Sequence, residues 1–231
     1  MNKTKIEWVK NQDESRGYTW NPVTGCLYGC SYCYARKIAN RFQGNFNPKF
    51  HTQRLNDPMK IKEPSTIFVG SMSDVFGTWV ENEWINPILE VVRLCPQHTF
   101  IFLTKNPYRY RDFIFPFNCF LGHTCTNGTS GQFETLLKHP GSHNKRKYFI
   151  SAEPLLDYVY LEGTEKWLII GSLNQNGKPV HLDKGGTRKE WVLSLLDKAD
   201  KHKIPVFIKP ELYELYPDLP KRQELPYLKE K

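Results

Sequence analysis

Seven short, β-branched apolar runs, most of them separated by stretches of helical periodicity, predict an α/β protein built on parallel strands. Three observations carry this expectation. Strand-like and helix-like stretches alternate along the chain, which covers a parallel sheet with helices. Polar or ionisable residues follow six of the seven runs, as they do where strand ends ring a pocket. No solenoid-period repeat, low-complexity tract or long linker interrupts the pattern. An open doubly wound sheet and a full or partial TIM-like (βα) barrel both satisfy these observations.

The first strand is expected over residues 18–22 and leads into Cys26, Cys30 and Cys33. Tyr34, Ile38 and Phe42 then recur at four-residue steps, the spacing of one apolar helix face. A second strand over 66–71 ends in Ser71, Met72, Ser73 and Asp74. Ile85, Ile88, Leu89, Val92 and Cys95 mark the next helix, in which Pro87 must occupy the first turn or bend the axis. The third strand, Thr99–Thr104, ends at Lys105 and Asn106. A fourth over 119–125 precedes a short helical signal at 132–137. Lys147–Ala152 is the fifth and runs into Glu153 and Pro154. Between 152 and 167 the pattern is weak and suits a loop with one turn. The sixth strand covers 167–171, and Trp191, Leu195 and Leu196 mark the helix before the seventh, 205–209.

Hydrophobic residues make up 39% of the 231 and charged residues 24%, the balance of a water-soluble globular chain. No apolar run approaches the ~18 residues of a membrane span. The opening MNKTKIEWVK lacks the apolar core and cleavage site of a secretory signal. The chain is therefore expected in the cytoplasm, with no membrane partner. Six cysteines in a reducing compartment point to thiols and metal binding, not to disulfides. Cys95, Cys119 and Cys125 lie scattered in apolar stretches and read as small buried hydrophobes. The net charge of +8 suits a polyanionic partner such as nucleic acid or a nucleotide. Its cations are dispersed, apart from the run 143–147.

Residues 25–35 read GCLYGCSYCYA, with Cys26, Cys30 and Cys33 spaced C-x3-C-x2-C. Three chemistries fit these residues. Tetrahedral zinc takes four Cys or His ligands, usually from paired C-x2-C knuckles, and here one such pair stands alone. A structural four-iron cluster takes a fourth cysteine, which no spacing in the chain nominates. A four-iron cluster on three thiolates leaves one iron open to an outside ligand, and one short loop can wrap three corners of that cube.

At these residues the chain resembles the radical S-adenosylmethionine superfamily, in which C-x3-C-x2-C follows a first strand and an aromatic, here Tyr32, precedes the last cysteine. TWNPVTGC at 19–26 is similar, more narrowly, to the opening of a little-characterised, phage-associated three-cysteine family within it. Further matches follow in order: VGSMSDVF at 69–76, HTFIFLTKN at 98–106, FISAEPLL at 149–156 and VFIK at 206–209. The resemblance implies a single barrel domain, full or partial, over residues 1–231, with 211–231 as a Pro-rich tail. It also implies a 4Fe–4S cluster on Cys26, Cys30 and Cys33. The amino and carboxylate groups of S-adenosyl-L-methionine would chelate the open iron. An electron from an external donor would cleave the sulfonium, and the 5′-deoxyadenosyl radical would abstract hydrogen from an unidentified substrate. The cofactor performs that step, and the protein orients it and excludes water.

Two departures stand out. Relatives are expected to carry Gly-Val-Ser-Val-Glu-Asn where this chain has GHTCTN at 122–127, and Gly-Gly-Glu-Ser-Gly where it has GSLNQ at 171–175. Both replacements lose an acid, so a relative's substrate does not transfer.

In the superfamily, the stretch after the second strand binds the methionine amino group through backbone oxygens and a polar side chain. On that resemblance Gly70, Ser71, Ser73 and Asp74 are the cofactor-binding candidates, with Asp74 preferred, although Ser and Asp there also suit turn capping. Lys105 ends an apolar strand, so its charge must face a pocket or solvent. In a pocket it would pair with the methionine carboxylate or a substrate phosphate. Glu153 is placed to bind ribose hydroxyls, a substrate amine or a base edge, or only to cap the next turn. His123 and Cys125 alternate with Thr124 and share one side of their strand. If that side is interior, His123 lines the cofactor and Cys125 donates a hydrogen atom to a substrate radical. Otherwise they are a buried thiol and a bonded imidazole. Tyr28, Tyr32 and Tyr34 read as a shell that packs adenine and shields the cluster, with Tyr32 foremost. Lys145, Arg146 and Lys147 are phosphate-contact candidates, but residues before a strand lie opposite the pocket, where Lys105 and the Lys209 region are better placed. The competing class is a non-catalytic, zinc- or iron–sulfur-stabilised nucleic-acid-binding module.

Overall fold

The strands Thr66–Val69, Leu168–Ile170 and Val206–Ile208 are buried at every residue, the mark of parallel strands covered on both faces. The computed structural model describes residues 1–129, 147–175 and 177–228, which fall into two units, Met1–Leu121 and Gly122–Lys231. The fold class is α/β, as expected. Among the described residues no helix is long and apolar enough to cross a membrane.

In the first unit, β1 (Asn2–Lys3) lies antiparallel to β2 (Tyr18–Trp20), and β2, β3 (Thr66–Val69) and β4 (Thr99–Thr104) run parallel. Trp20 faces Val69 across the ladder and Val69 faces Phe102. Trp20 is fully buried, and its indole donates to the Arg54 carbonyl at 2.8 Å. The helix α2 (Asn82–Leu94) buries Ile85, Ile88, Leu89 and Val92, the face the periodicity marks, with Pro87 in its second turn. Its C-terminal carbonyls have no partner within the helix. The buried Asn118 amide supplies one, donating to Val92, Cys95 and His98 carbonyls at 3.3, 3.1 and 3.0 Å.

The first helix, α1 (Tyr34–Gln43), corrects the apolar-face reading. An apolar stripe at four-residue spacing ordinarily faces a core. Here Tyr34, Ile38 and Phe42 are exposed, and the buried face is Ala35 and Ala39. These alanines pack on Phe46, with Cys26, Cys33 and Met72 beside them. Only small side chains fit so close to the cysteine loop.

The strand β5 (Cys119–Thr124) spans the boundary between the units. At its start Phe100 N–H donates to Asn118 at 2.9 Å in the first unit, and past its end Cys125 N–H donates to Ser151 at 3.0 Å in the second. The second unit holds β6 (Lys147–Ala152), β7 (Leu168–Ile170) and β8 (Val206–Ile208), all parallel. Gly122 is required by crowding, since a Cβ there would stand 2.2 Å from the Phe149 ring. Helix α3 (Lys189–Lys201) buries Val192, Leu195, Leu196 and Ala199, while Trp191 is half-buried against Tyr158. After α4 (Pro210–Leu215) the chain returns along β8, where Ile208 N–H donates to Arg222 and Glu224 N–H to Val206. Each of the seven expected strands is present, at full length or shorter by a few terminal residues, whereas β1 was not expected. Among the described residues, neither run of parallel strands closes on itself within its unit. The expected helix at 132–137 and the candidates Lys145 and Arg146 lie outside the described residues.

Replacing Asn118 with Ala should take the amide donor from three carbonyls, of which Val92 and Cys95 keep backbone donors. Urea unfolding followed by circular dichroism should show a loss of about 2 kcal/mol.

Candidate functional site

The cysteine loop hangs between a glycine and a helix. Gly25 has φ +88°, and a Cβ there would meet the Asn47 carbonyl at 2.1 Å, so only glycine fits. Its N–H donates to Met72 at 2.9 Å, and Gly25 forms a parallel bridge with Ser73. Cys26 N–H donates to Phe46, and Cys33 N–H to Cys30. Cys33 is the N-cap of α1, where its sulfur accepts from Arg36 N–H at 3.4 Å. The Arg36 guanidinium in turn donates to the Cys26 carbonyl at 3.0 Å.

All three thiols are half-buried, and none of the six cysteines is in a disulfide. Burial pushes the Cys26 thiol up to about 11, and the charges of Asp74, Cys33 and Cys30 push it the same way. A Cys26 thiolate is therefore favoured only with a cationic group beside it. The all-sulfur donor set, its placement on one loop and this mutual repulsion fit an iron–sulfur cluster. Among the described residues no three His, Cys, Asp or Glu side chains stand close enough to hold a single metal ion.

The 70–74 stretch is bound to the same loop. Asn21 donates to Ser71 Oγ at 3.0 Å and accepts from Met72 N–H at 2.9 Å, and the Tyr34 hydroxyl donates to the Ser71 carbonyl at 2.6 Å. Gly70 has φ +84°, and a Cβ there would crowd Val75 at 2.9 Å and Ser73 Oγ at 3.2 Å. Ser73 Oγ is buried without a hydrogen-bond partner among the described residues, a polar atom left over in this stretch. A cavity of about 350 Å³ is lined by Asn21, Gly25, Ala39, Phe46 and Met72, which back the loop.

Asp74 is buried, and protein donors engage both of its oxygens. Phe76 N–H and the Thr104 hydroxyl donate to one at 3.0 and 2.7 Å, and Lys105 N–H donates to the other at 2.8 Å. Burial raises its pKa, and these bonds oppose the rise. Asp74 thus ties the end of β3 to the end of β4. Lys105 is brought to the cysteine loop: its ammonium donates to the Tyr32 hydroxyl at 3.2 Å and lies 5.5 Å from the ring centroid. Burial, and then the Cys30 charge, push the Tyr32 phenol upward. Tyr28 meets Trp79 edge-on at 4.8 Å, and Gly77 leaves room for the indole.

The second unit carries its own set. His123 and Cys125 are both buried, and the Cys125 thiol donates to the Asn127 carbonyl at 3.4 Å. Glu153, Gly171 and Lys209 follow the C-terminal ends of β6, β7 and β8. Lys209 pairs with Glu153 and, at 3.1 Å, with Glu211. Asn174 donates to Glu211 at 3.1 Å and accepts from Ser172 Oγ at 2.8 Å. A Cβ on Gly171 would reach within 2.8 Å of Glu153. Lys147 is exposed at the start of β6. Arg36, Trp79 and Glu211 escaped the sequence reading. Trp79, a large aromatic just after VGSMSDVF, was the one available signal.

A family model described as a protein of unknown function (DUF5131) matches residues 3–212. No curated protein matches the chain. Among solved structures, spore photoproduct lyase complexed with dinucleoside spore photoproduct aligns with TM-score 0.51 and 13% identity, over 94% of this chain and 76% of that one. A cysteine-to-alanine mutant of the lyase with the same dinucleoside aligns at TM-score 0.54 and 13% identity over the same shares, 94% and 76%. A double mutant with bound AdoMet and dinucleoside spore photoproduct aligns at 0.51 and 12%, again over 94% and 76%. The likeness is one of fold.

Asp74→Asn would turn an amide nitrogen toward protein donors at one end of the carboxylate's bonds. It should cost about 1–3 kcal/mol in denaturant unfolding, with Thr104→Val giving a smaller loss of the same sign.

Proposed function

We infer that this chain, which belongs to the DUF5131 family of proteins of unknown function, is a radical S-adenosylmethionine enzyme holding a 4Fe–4S cluster on Cys26, Cys30 and Cys33. One observation carries the reading. Three half-buried thiols share one loop whose glycine-fixed backbone is bonded to the 70–74 stretch, while the other three cysteines are buried elsewhere. A cluster bound there supplies the electron that cleaves S-adenosyl-L-methionine to methionine and a 5′-deoxyadenosyl radical. The ordered motifs from TWNPVTGC to VFIK support the narrower likeness to the phage-associated three-cysteine family.

The remaining roles fall to the protein's own side chains. Gly70, Ser71 and Ser73 accept from the methionine ammonium, and the buried Ser73 hydroxyl supports that role. Asp74 positions this stretch and Lys105 through its three bonds. Lys105 pairs with the methionine carboxylate, and Tyr28, Tyr32 and Trp79 exclude water. In the second unit Cys125 is the candidate hydrogen-atom donor, and Glu153, paired with Lys209, is the candidate substrate contact. The substrate class is a nucleotide or nucleic acid. The +8 charge supports it, as does a fold shared with a lyase solved with a dinucleoside photoproduct. The enzyme works in the cytoplasm with an external electron donor.

Anaerobic reconstitution should yield a brown protein with about four irons per chain. Ala in place of Cys26, Cys30 or Cys33 should abolish iron binding, whereas Ala at Cys95, Cys119 or Cys125 should leave it nearly unchanged. Reduced protein given S-adenosyl-L-methionine should form 5′-deoxyadenosine without substrate, as chromatography will read. A colourless protein with a single zinc, or iron lost on replacing Cys95, Cys119 or Cys125, would sink this reading.

A further inference from the structure

We propose that the outward face of α1 is the docking surface for an acidic electron-carrier protein, an inference that rests on the iron–sulfur reading above. The face begins one residue after Cys33, which caps the helix. It exposes Tyr34, Ile38 and Phe42 at 54%, 44% and 75%, and Leu27 within the cysteine loop is 55% exposed. On its buried face the helix is held by Ala35 and Ala39, with bonds from Tyr34 to the Ser71 carbonyl and from Arg36 to the Cys26 carbonyl at its N-terminal end. A solvated helix face is normally polar, and clustered exposed apolar side chains mark interaction sites.

Charge identifies the occupant. The helix carries Arg36, Lys37 and Arg41 and no acidic residue, in a chain of net charge +8. An acidic partner would be steered to such a face, and an apolar centre with a charged rim is the anatomy of a protein interface. Redox encounters bury less than about 1,200 Å² in total, an area within reach of one ten-residue helix and its adjoining loop. A nucleic-acid surface would use its cations on phosphate. Here Arg36 is committed to the Cys26 carbonyl, and the Tyr34 hydroxyl is tied to the Ser71 carbonyl. Of the other apolar side chains on this face Phe42 is aromatic while Ile38 and Leu27 are aliphatic, which is little for a run of bases to stack on. In each encounter the carrier loses one electron and the loop's cluster gains it. No bond forms or breaks between the proteins.

The test titrates a plant-type [2Fe–2S] ferredoxin, an acidic carrier, against anaerobically reconstituted protein by calorimetry. Binding should weaken as salt rises. Phe42→Glu and Lys37→Glu should each weaken it by about tenfold, while iron content stays at the wild-type value. With dithionite as the reductant, which needs no docking, the variants should form 5′-deoxyadenosine as the wild type does. Ferredoxin binding that is absent at low salt, or unchanged in both variants, overturns the proposal. So does a pattern in which the variants lose affinity for a single-stranded DNA oligonucleotide and keep it for ferredoxin. Failure of the wild type to cleave S-adenosyl-L-methionine with dithionite overturns the parent reading instead, since no carrier takes part in that assay.

Discussion

The buried carboxylate of Asp74 accepts from Phe76, Thr104 and Lys105 and so joins the ends of two parallel strands. A carboxylate out of water is costly unless such donors surround it. Once satisfied, it holds both partners with little freedom. One of them, Lys105, is thereby aimed at Tyr32 on the cysteine loop. The residues just before Asp74 bond the loop's first glycine and the Tyr34 hydroxyl. The geometry around the three thiols in the first unit thus descends from one ionisable group that touches none of their sulfurs by hydrogen bond.

The second unit meets the same problem with a different device. Charged groups end two of its three parallel strands, and Lys209 offsets two carboxylates there, with Asn174 supplying a further donor to Glu211. These groups are largely buried and mutually satisfied, which fixes their positions before any ligand arrives. Gly171 permits this closeness, because a side chain would stand where Glu153 runs.

Much of this was legible in the sequence. The strands announced themselves through short, β-branched runs, and strand ends pointed to Lys105, Glu153 and the cysteines as residues of interest. Helix orientation was not legible at α1. Periodicity shows that Tyr34, Ile38 and Phe42 share a face, but the interleaved Ala35 and Ala39 mark another apolar face equally well. Steric room beside the cysteine loop decided between them. Asp74 showed a similar limit. An acid after a strand reads as an available acceptor, and nothing local reveals that Thr104 and Lys105, about thirty residues away, donate to both of its oxygens. Glu211 and Asn174 met Lys209 through packing of separate elements, which short-range patterns do not encode.

The return of residues 222–224 along β8 bears on the solubility of the whole chain. Val206–Ile208 is wholly buried and ends its run of strands, so its backbone edge would otherwise stand open. Arg222 and Glu224 close it with antiparallel bonds, and the Trp167 indole donates to the Glu224 carbonyl at 2.9 Å to hold the segment in place. An uncovered, apolar strand edge is a template for pairing with other chains. Residues 222–224 thus cover an apolar strand edge, which shortening the chain ahead of them would leave open to pairing with another chain.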